Sequence, residues 1–346
     1  MKIVLDDIIC NDDLYPFTLT RSAADMRIGI LTIREKWEKL VGEKITILSE
    51  VSEKEANGNV KKIPANIIPQ LKWLKKFKNN GDINDSIKIE YPFQIFQNND
   101  VAIREDYELI TKKRKSKKLS STNKIIGSDI FIEEGAKIEH SILNATTGPI
   151  YIGKNAKVME GCIIHGPFAM CEGSLLKMGA KIYGATTLGP YCIAGGEIKN
   201  SVLFGYSNKA HDGYLGDSVI GEWCNLGGGT SNSNIKNTAE DVKIWNKNKN
   251  EFISAGLKCG LMMADYSRSA INTSFNTGTV AGVASNVFCN GFPPTFIDSF
   301  SWGDKNYELE KALEHIDNWK RLKGHSLSSE EKKILTDIYH QKNKNA

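Results

Sequence analysis

The residues with most to offer chemically lie between Lys199 and Asn234. His211 stands in the segment Asn208-Lys209-Ala210-His211-Asp212-Gly213-Tyr214. An imidazole exchanges its proton near neutral pH and can therefore act as a general base. Lys199 can pair with a phosphate. Gly227, Gly228 and Gly229 carry no side chains, so their backbone N–H groups are open to a carbonyl or a developing oxyanion. Asn225 and Asn234 can orient polar ligands. Taken singly, each has a plainer reading: a surface histidine, a lysine on a solvated face, corner glycines, an asparagine ladder or turn. A base, a cation and several N–H donors in one stretch shift the balance toward a site.

The elements that hold this stretch are legible as a period of six. Ile126, Ile132 and Ile138 are six apart, and the register resumes at Ile152, Val158, Ile164, Met170, Leu176, Ile182 and Leu188. Four places after each of these seven stands Ala156, Cys162, Phe168, Ser174, Ala180, Thr186 or Cys192, all small except Phe168. An apolar residue every six with a small one at i+4 is the hexapeptide rule of a single-stranded left-handed β-helix. Each coil is a triangle of three short strands, with the apolar side chain inside and the small residue at a tight corner. Glycines at 127, 153, 161, 173, 179 and 189 are expected to relax the turns. Coils are stable only when stacked. The register breaks at 200–213, returns at Tyr214, Ile220 and Leu226, breaks again at 231–256, and ends in the run Met263, Ser269, Phe275, Ala281. A filled interior leaves function to the breaks, where extra residues loop outward.

The flanks differ. Residues 1–110 read as an α/β fragment: a strand at Lys2–Leu5, a helix over Ile28–Leu40 stopped by Gly42, a strand at Ile45–Leu48, and a helix from Asn98 to Ile110. Trp73-Leu74 marks a further helix candidate. Residues 111–123 form a basic linker containing Lys112-Lys113-Arg114-Lys115-Ser116-Lys117-Lys118. Residues 124–303 are the β-helix, and 304–346 a helical tail with helices near 307–323 and 328–342 that cap the end of the solenoid. Ser328 and Glu331 have the spacing of a helix start.

Composition narrows the classes. In 346 residues, 45 basic and 41 acidic side chains leave an excess too small to make nucleic acid the main partner. No apolar run reaches the ~18 residues of a membrane span. Two acids follow the first three apolar residues, unlike a signal peptide, so a cytoplasmic setting is expected. Seven cysteines without a CxxC pair fit neither a disulfide framework nor a zinc ribbon, and packed thiols are expected.

Lys199, the segment His211 to Gly221, and Asn225-Leu226-Gly227-Gly228-Gly229-Thr230 resemble the acetyltransferase half of the bifunctional glucosamine-1-phosphate acetyltransferase / N-acetylglucosamine-1-phosphate uridylyltransferase family. The stretches Leu14 to Arg21 and Gly29 to Trp37 resemble a variant subgroup with a short nucleotidyltransferase domain. The resemblance implies acetyl-CoA as co-substrate, an amino-sugar phosphate as acceptor, and a place in UDP-N-acetylglucosamine and cell-envelope precursor synthesis. It assigns His211 as the base that deprotonates the sugar amine, and Lys199 and Tyr214 to the sugar phosphate. It assigns Asn225 to the sugar, and Gly228 and Asn234 to the thioester and pantetheine arm. It also implies a homotrimer with sites between subunits. No metal is needed for this chemistry.

Three departures stand out. The first strand leads into Asp6-Asp7 rather than a glycine-rich phosphate loop, and Ser22-Ala23 follow Arg21 where Pro-Lys is expected. A sugar-contacting arginine has no counterpart in the coil of Gly166-Pro167-Phe168-Ala169, where Glu172 is nearest and Lys177 or Lys181 could stand in. The leading expectation is therefore an acetyl-CoA-dependent N-acetyltransferase. The alternative is a Mg²⁺-dependent sugar-1-phosphate nucleotidyltransferase, with Arg21 and Arg34 as phosphate ligands unless they form structural ion pairs. A third possibility is a trimeric β-helix scaffold without turnover.

Overall fold

The structure is a computed structural model that describes residues 2–10, 13–51, 60–70 and 86–344. The Trp73-Leu74 helix candidate lies outside the described residues. From Lys124 onward the chain winds as a parallel β-solenoid of the left-handed β-helix type. Face one has six strands, from Lys124–Ile126 to Tyr214–Gly216. Face two has nine, from Ile130–Ile132 to Phe296–Ile297. Face three has ten, from Lys137–Ile138 to Lys305–Asn306. The inward rows are the hexad residues: Ile152, Met170 and Leu188 on face two, Val158 and Leu176 on face three, Ile164 and Ile182 on face one, all at most 2% exposed. Six of the seven cysteines are buried thiols and Cys289 is exposed.

The register expected around the site needs correction. Strand partners on face one are eighteen residues apart at Ile163 opposite Lys181. They are sixteen apart at Lys181 opposite Glu197, and seventeen at Glu197 opposite Tyr214. Two short corners shift the sequence pattern without looping the chain out. Residues 200–213 therefore stay in the solenoid as strands Val202–Gly205 and Asn208–Lys209. Leu215, not Tyr214, points inward, and Ile125, not Ile126, lies in the inward row with Leu143. The second break is a true excursion: residues 233–260 leave the coil and carry the hairpin Lys243–Asn246/Glu251–Ser254. Gly153 and Gly189 do not adopt positive φ. A Cβ on Gly189 would stand 1.7 Å from the Phe204 carbonyl oxygen, so close approach is what demands glycine there.

The N-terminal segment has a three-stranded parallel sheet with Lys2–Asp6 in the centre, between Thr46–Ile47 and Val60–Pro64. Helix α1 spans Ile33–Val41 and starts later than the periodicity suggests. Gly29, at φ +70°, turns a short hairpin of Arg27–Ile28 with Leu31–Thr32, and Thr32 with Glu35 then forms a capping box. Helices α2 (Gln94–Gln97) and α3 (Asn99–Thr111) follow. This segment lies on the outer side of face two. Phe17, Trp37 and Leu5 share one core with Val202, Phe204, Val219, Met262 and Val280. Asn99 fastens the docking: its Nδ2 donates to the Ala185 carbonyl at 2.8 Å and its Oδ1 accepts from Gly29 N–H at 2.7 Å.

The helices α4 (Leu309–Arg321) and α5 (Ser329–Lys344) lie along the flank rather than over the end of the solenoid. They cover the corner between faces two and three, where Tyr206 stacks on Trp223 at 4.2 Å between ring centroids. Ser328 and Glu331 do form the expected reciprocal start of α5, at 3.1 and 2.8 Å. The N-terminal segment thus covers face two and the tail covers one corner. Face one keeps Ile142, Ile163 and Tyr183 exposed on its outer side.

Candidate functional site

His211 lies on the corner that leads from face three to face one, between strands Asn208–Lys209 and Tyr214–Gly216. It is exposed, and its imidazole makes no hydrogen bond to a described residue. The next coil brings Gly228 against it: a Cβ on Gly228 would stand 3.7 Å from both Cβ and Cγ of His211. The neighbouring glycines use their N–H groups within the coil stack, Gly227 to the Ser269 carbonyl and Gly229 to the Asp212 carbonyl, each at 3.1 Å. The Gly228 N–H has no chain partner among the described residues. The same corner position is unpartnered at Glu160, Met178 and Ile271, so the free N–H is a property of the repeat. What is particular to Gly228 is the lack of a side chain and the histidine beside it.

Tyr214 opens the face-one strand and projects outward. Its hydroxyl folds back over Gly216, where a Cβ would meet it at 2.2 Å, so only glycine accommodates the ring there. Asn234 Nδ2 donates to that hydroxyl at 3.1 Å and also to the carboxylate of Asp217. Asp217, 4% exposed, accepts a second amide hydrogen bond from Asn200 at 2.6 Å. Burial, with the Asp217 charge second, pushes the Tyr214 hydroxyl up to about 12, so it remains a neutral donor at physiological pH. Asn234 therefore holds Tyr214 in place. The sequence assigns Asp217 and Asn200 no role of their own, since nothing marks two short polar residues at a corner.

Lys199 is the strand partner of Gly216 and exposed. It lines a cleft of about 520 Å³ with His165, Tyr183, Asn200, Asp217 and Lys258. Lys181, Glu197 and Tyr214 form one row across face one, which puts Lys181, rather than Lys177, in line with the tyrosine. Asn225 sits apart from this group. It is on face three, where its Oδ1 accepts from Asn208 Nδ2 at 3.3 Å, an asparagine ladder around the corner from His211. His211 thus meets Gly228 at the corner, Tyr214, Asn234 and Asp217 form a second group on face one with Lys199 paired to Gly216 beneath the tyrosine, and Asn225 lies to one side.

The two N-terminal arginines are engaged by carboxylates outside this group. Arg21 bridges Asp265 and, at 3.0 Å, Glu222. Arg34 binds Asp25 at 2.7 Å and Glu50 at 2.8 Å. Both carboxyl groups on Arg21 belong to the solenoid, so this arginine ties the N-terminal segment to it.

A family model described as sugar nucleotidyl transferase matches residues 3–62. A bifunctional sugar-1-phosphate nucleotidylyltransferase/acetyltransferase of Sulfurisphaera tokodaii is 34% identical over 93 residues, 27% of this chain and 23% of the relative. The chain is similar to the bifunctional GlmU-type proteins. The protein named bifunctional GlmU of Methanocaldococcus jannaschii is 34% identical over 86 residues, 25% of this chain and 21% of its own length. That of Synechococcus elongatus is 24% identical over 214 residues, 58% of this chain and 47% of its own. The matched parts span about a fifth to a half of these relatives. No helix among the described residues is long and apolar enough to cross a membrane.

Proposed function

We propose that the protein is an acetyl-CoA-dependent N-acetyltransferase that acts on an amino-sugar phosphate, with glucosamine 1-phosphate as the first acceptor to test. The observation that carries this reading is His211 against the side-chain-free Gly228, whose N–H has no chain partner among the described residues, with the Tyr214–Asn234–Asp217 chain starting on the strand that follows the corner. The acceptor enters as an ammonium. His211 takes one proton, and the free amine attacks the thioester carbonyl. The C–N bond forms as the Gly228 N–H receives the developing oxyanion. The C–S bond then breaks, the nitrogen releases its second proton to water to leave the neutral amide, and the CoA thiolate collects the proton from His211. Lys199 supplies positive charge to the sugar phosphate and Tyr214 a hydroxyl donor. Lys181, in register with Glu197 and Tyr214, is the residue we assign to the sugar in place of the missing arginine. Asn225 reaches this acceptor only across the corner, so its share is secondary.

An exposed base and an uncovered face one favour a homotrimer in which a second copy closes the site. A reading as nucleotidyltransferase has one observation in its favour, the family model over residues 3–62. Transfer of a nucleotidyl group needs N–H groups and cations around a triphosphate, with Mg²⁺. The first strand instead runs into a 3₁₀ turn at Ile8–Cys10, and Arg21 and Arg34 are engaged by carboxylates. The full chain, incubated with acetyl-CoA and a panel of hexosamine phosphates, is expected to yield an N-acetylated product by mass spectrometry. A chain that binds the sugars but acetylates none of them is a scaffold, and the reading fails.

A further inference from the structure

One strongly polar side chain near the site points the wrong way for a ligand. Lys209 occupies an inward row of face three, opposite Ala194 and in line with Leu176 and Val158 below it, and is 1% exposed. An ammonium in an apolar interior is costly unless it is hydrogen-bonded. Its Nζ donates to the His211 carbonyl at 2.5 Å and to the Gly195 carbonyl at 3.4 Å. The cause is the short corner. Where the coils below turn through Met159 to Cys162 and Lys177 to Ala180, the coil under His211 turns through Gly195-Gly196 alone. The longer corner above overhangs it, and a Cβ on Gly196 would stand 2.8 Å from the His211 carbonyl oxygen. No backbone N–H among the described residues reaches either the His211 or the Gly195 carbonyl. The lysine fills that gap from inside, in the space that the small Ala194 leaves.

We propose that Lys209 is a positioning residue: its buried ammonium clamps the His211 corner onto the shortened coil beneath and fixes where the imidazole stands relative to Gly228. Lys209 touches no substrate. It acts through the backbone of the residue two places on. The inference rests on the acetyltransferase reading for its effect on rate, but not for the clamp itself. The cost of burying the ammonium opposes the gain from its two hydrogen bonds, so an apolar side chain of similar length is expected to leave the stability of the fold about unchanged. That separates the proposal from a plain structural role. Replacing a structural residue lowers stability and activity together, whereas replacing this one lowers activity alone.

The test uses the full chain with Lys209→Met, and Lys209→Leu as a second apolar replacement. Three quantities are read: kcat and KM for acetyl transfer, the melting temperature, and amide hydrogen exchange at residues 210–213. The expected result is a kcat lower by about ten- to a hundred-fold, the scale of a misplaced catalytic group. KM for the amino sugar stays near the wild-type value, the melting temperature does not fall, and exchange at 210–213 is faster. An unchanged kcat overturns the proposal. So does a loss of rate that follows a loss of melting temperature. If the wild type transfers no acetyl group, the functional reading has failed. The clamp then stands or falls on exchange alone: faster at 210–213 in the variants upholds it, and unchanged exchange removes it.

Discussion

Single residues on face one act through each other more than through their own position. Asn234 reads from sequence as a ligand-orienting amide, and in the fold it orients Tyr214 instead. A hydrogen bond to a phosphate contributes about 1.5–3 kcal/mol. Tyr214→Phe is therefore expected to raise KM for the sugar phosphate roughly tenfold or more, and Asn234→Ala by a similar factor. The double variant should be little worse than either, because both remove the same contact. Steady-state kinetics of the three variants check this, and strict additivity would contradict it. Lys209 makes a second prediction. Burial lowers its ammonium from 10.5 to about 8 in the fold. Below pH 8 both folded and unfolded chains hold this proton and the full penalty applies. Between about 8 and 10.5 the unfolded chain keeps the proton that the folded chain has lost, so stability rises with pH across that window. Lys209→Met should remove that rise from a series of denaturant titrations.

At the scale of elements, the hexad rule exposed the solenoid because the interior admits one apolar side chain per strand and the corners admit only small ones. The rule misplaced Tyr214 for the same reason. It assumes coils of eighteen, and two short corners slide the pattern while the strands stay paired. An internal lysine cannot be told from a loop lysine until that slip is known. The proposed site residues His211, Lys199, Gly228 and Asn234 stand out in the sequence by type and order, and Tyr214 only through the family resemblance. Asp217 and Asn200 carry none until a fold sets them beside Tyr214. Arg21 illustrates the opposite case, an apparent phosphate ligand that belongs to an ion pair between elements. Burial raises the Asp265 carboxyl, and the Arg21 charge opposes that shift. Arg21→Ala leaves this carboxylate, 3% exposed, without its cation. A loss of about 3–5 kcal/mol in unfolding free energy is expected. A change below about 0.5 kcal/mol, the range of ordinary surface substitutions, would show that the arginine is no structural tie.

In the molecule as a whole, the N-terminal segment occupies face two and the helical tail the next corner, while the outer side of face one stays open and is the face proposed for association between copies. A small apolar row there, with Ile142 38% and Ile163 43% exposed, is of the kind that a symmetric assembly buries. Sedimentation of the wild type is expected to give a trimer, and Ile163→Lys, a charge in the middle of that row, a smaller species. If the variant remains trimeric, the copies meet elsewhere. The sequence could not reveal this arrangement, since the docking of residues 1–110 on face two depends on contacts such as Asn99 with Ala185 that no periodicity records. The central claim, a histidine base for acetyl transfer at an exposed corner, is tested most directly by the release of free CoA thiol. The assay takes acetyl-CoA with glucosamine 1-phosphate, for the wild type and for His211→Ala. The account predicts steady release by the wild type and a fall of about 10²–10⁴ in the variant, with the fold intact. Equal release by both proteins would contradict it.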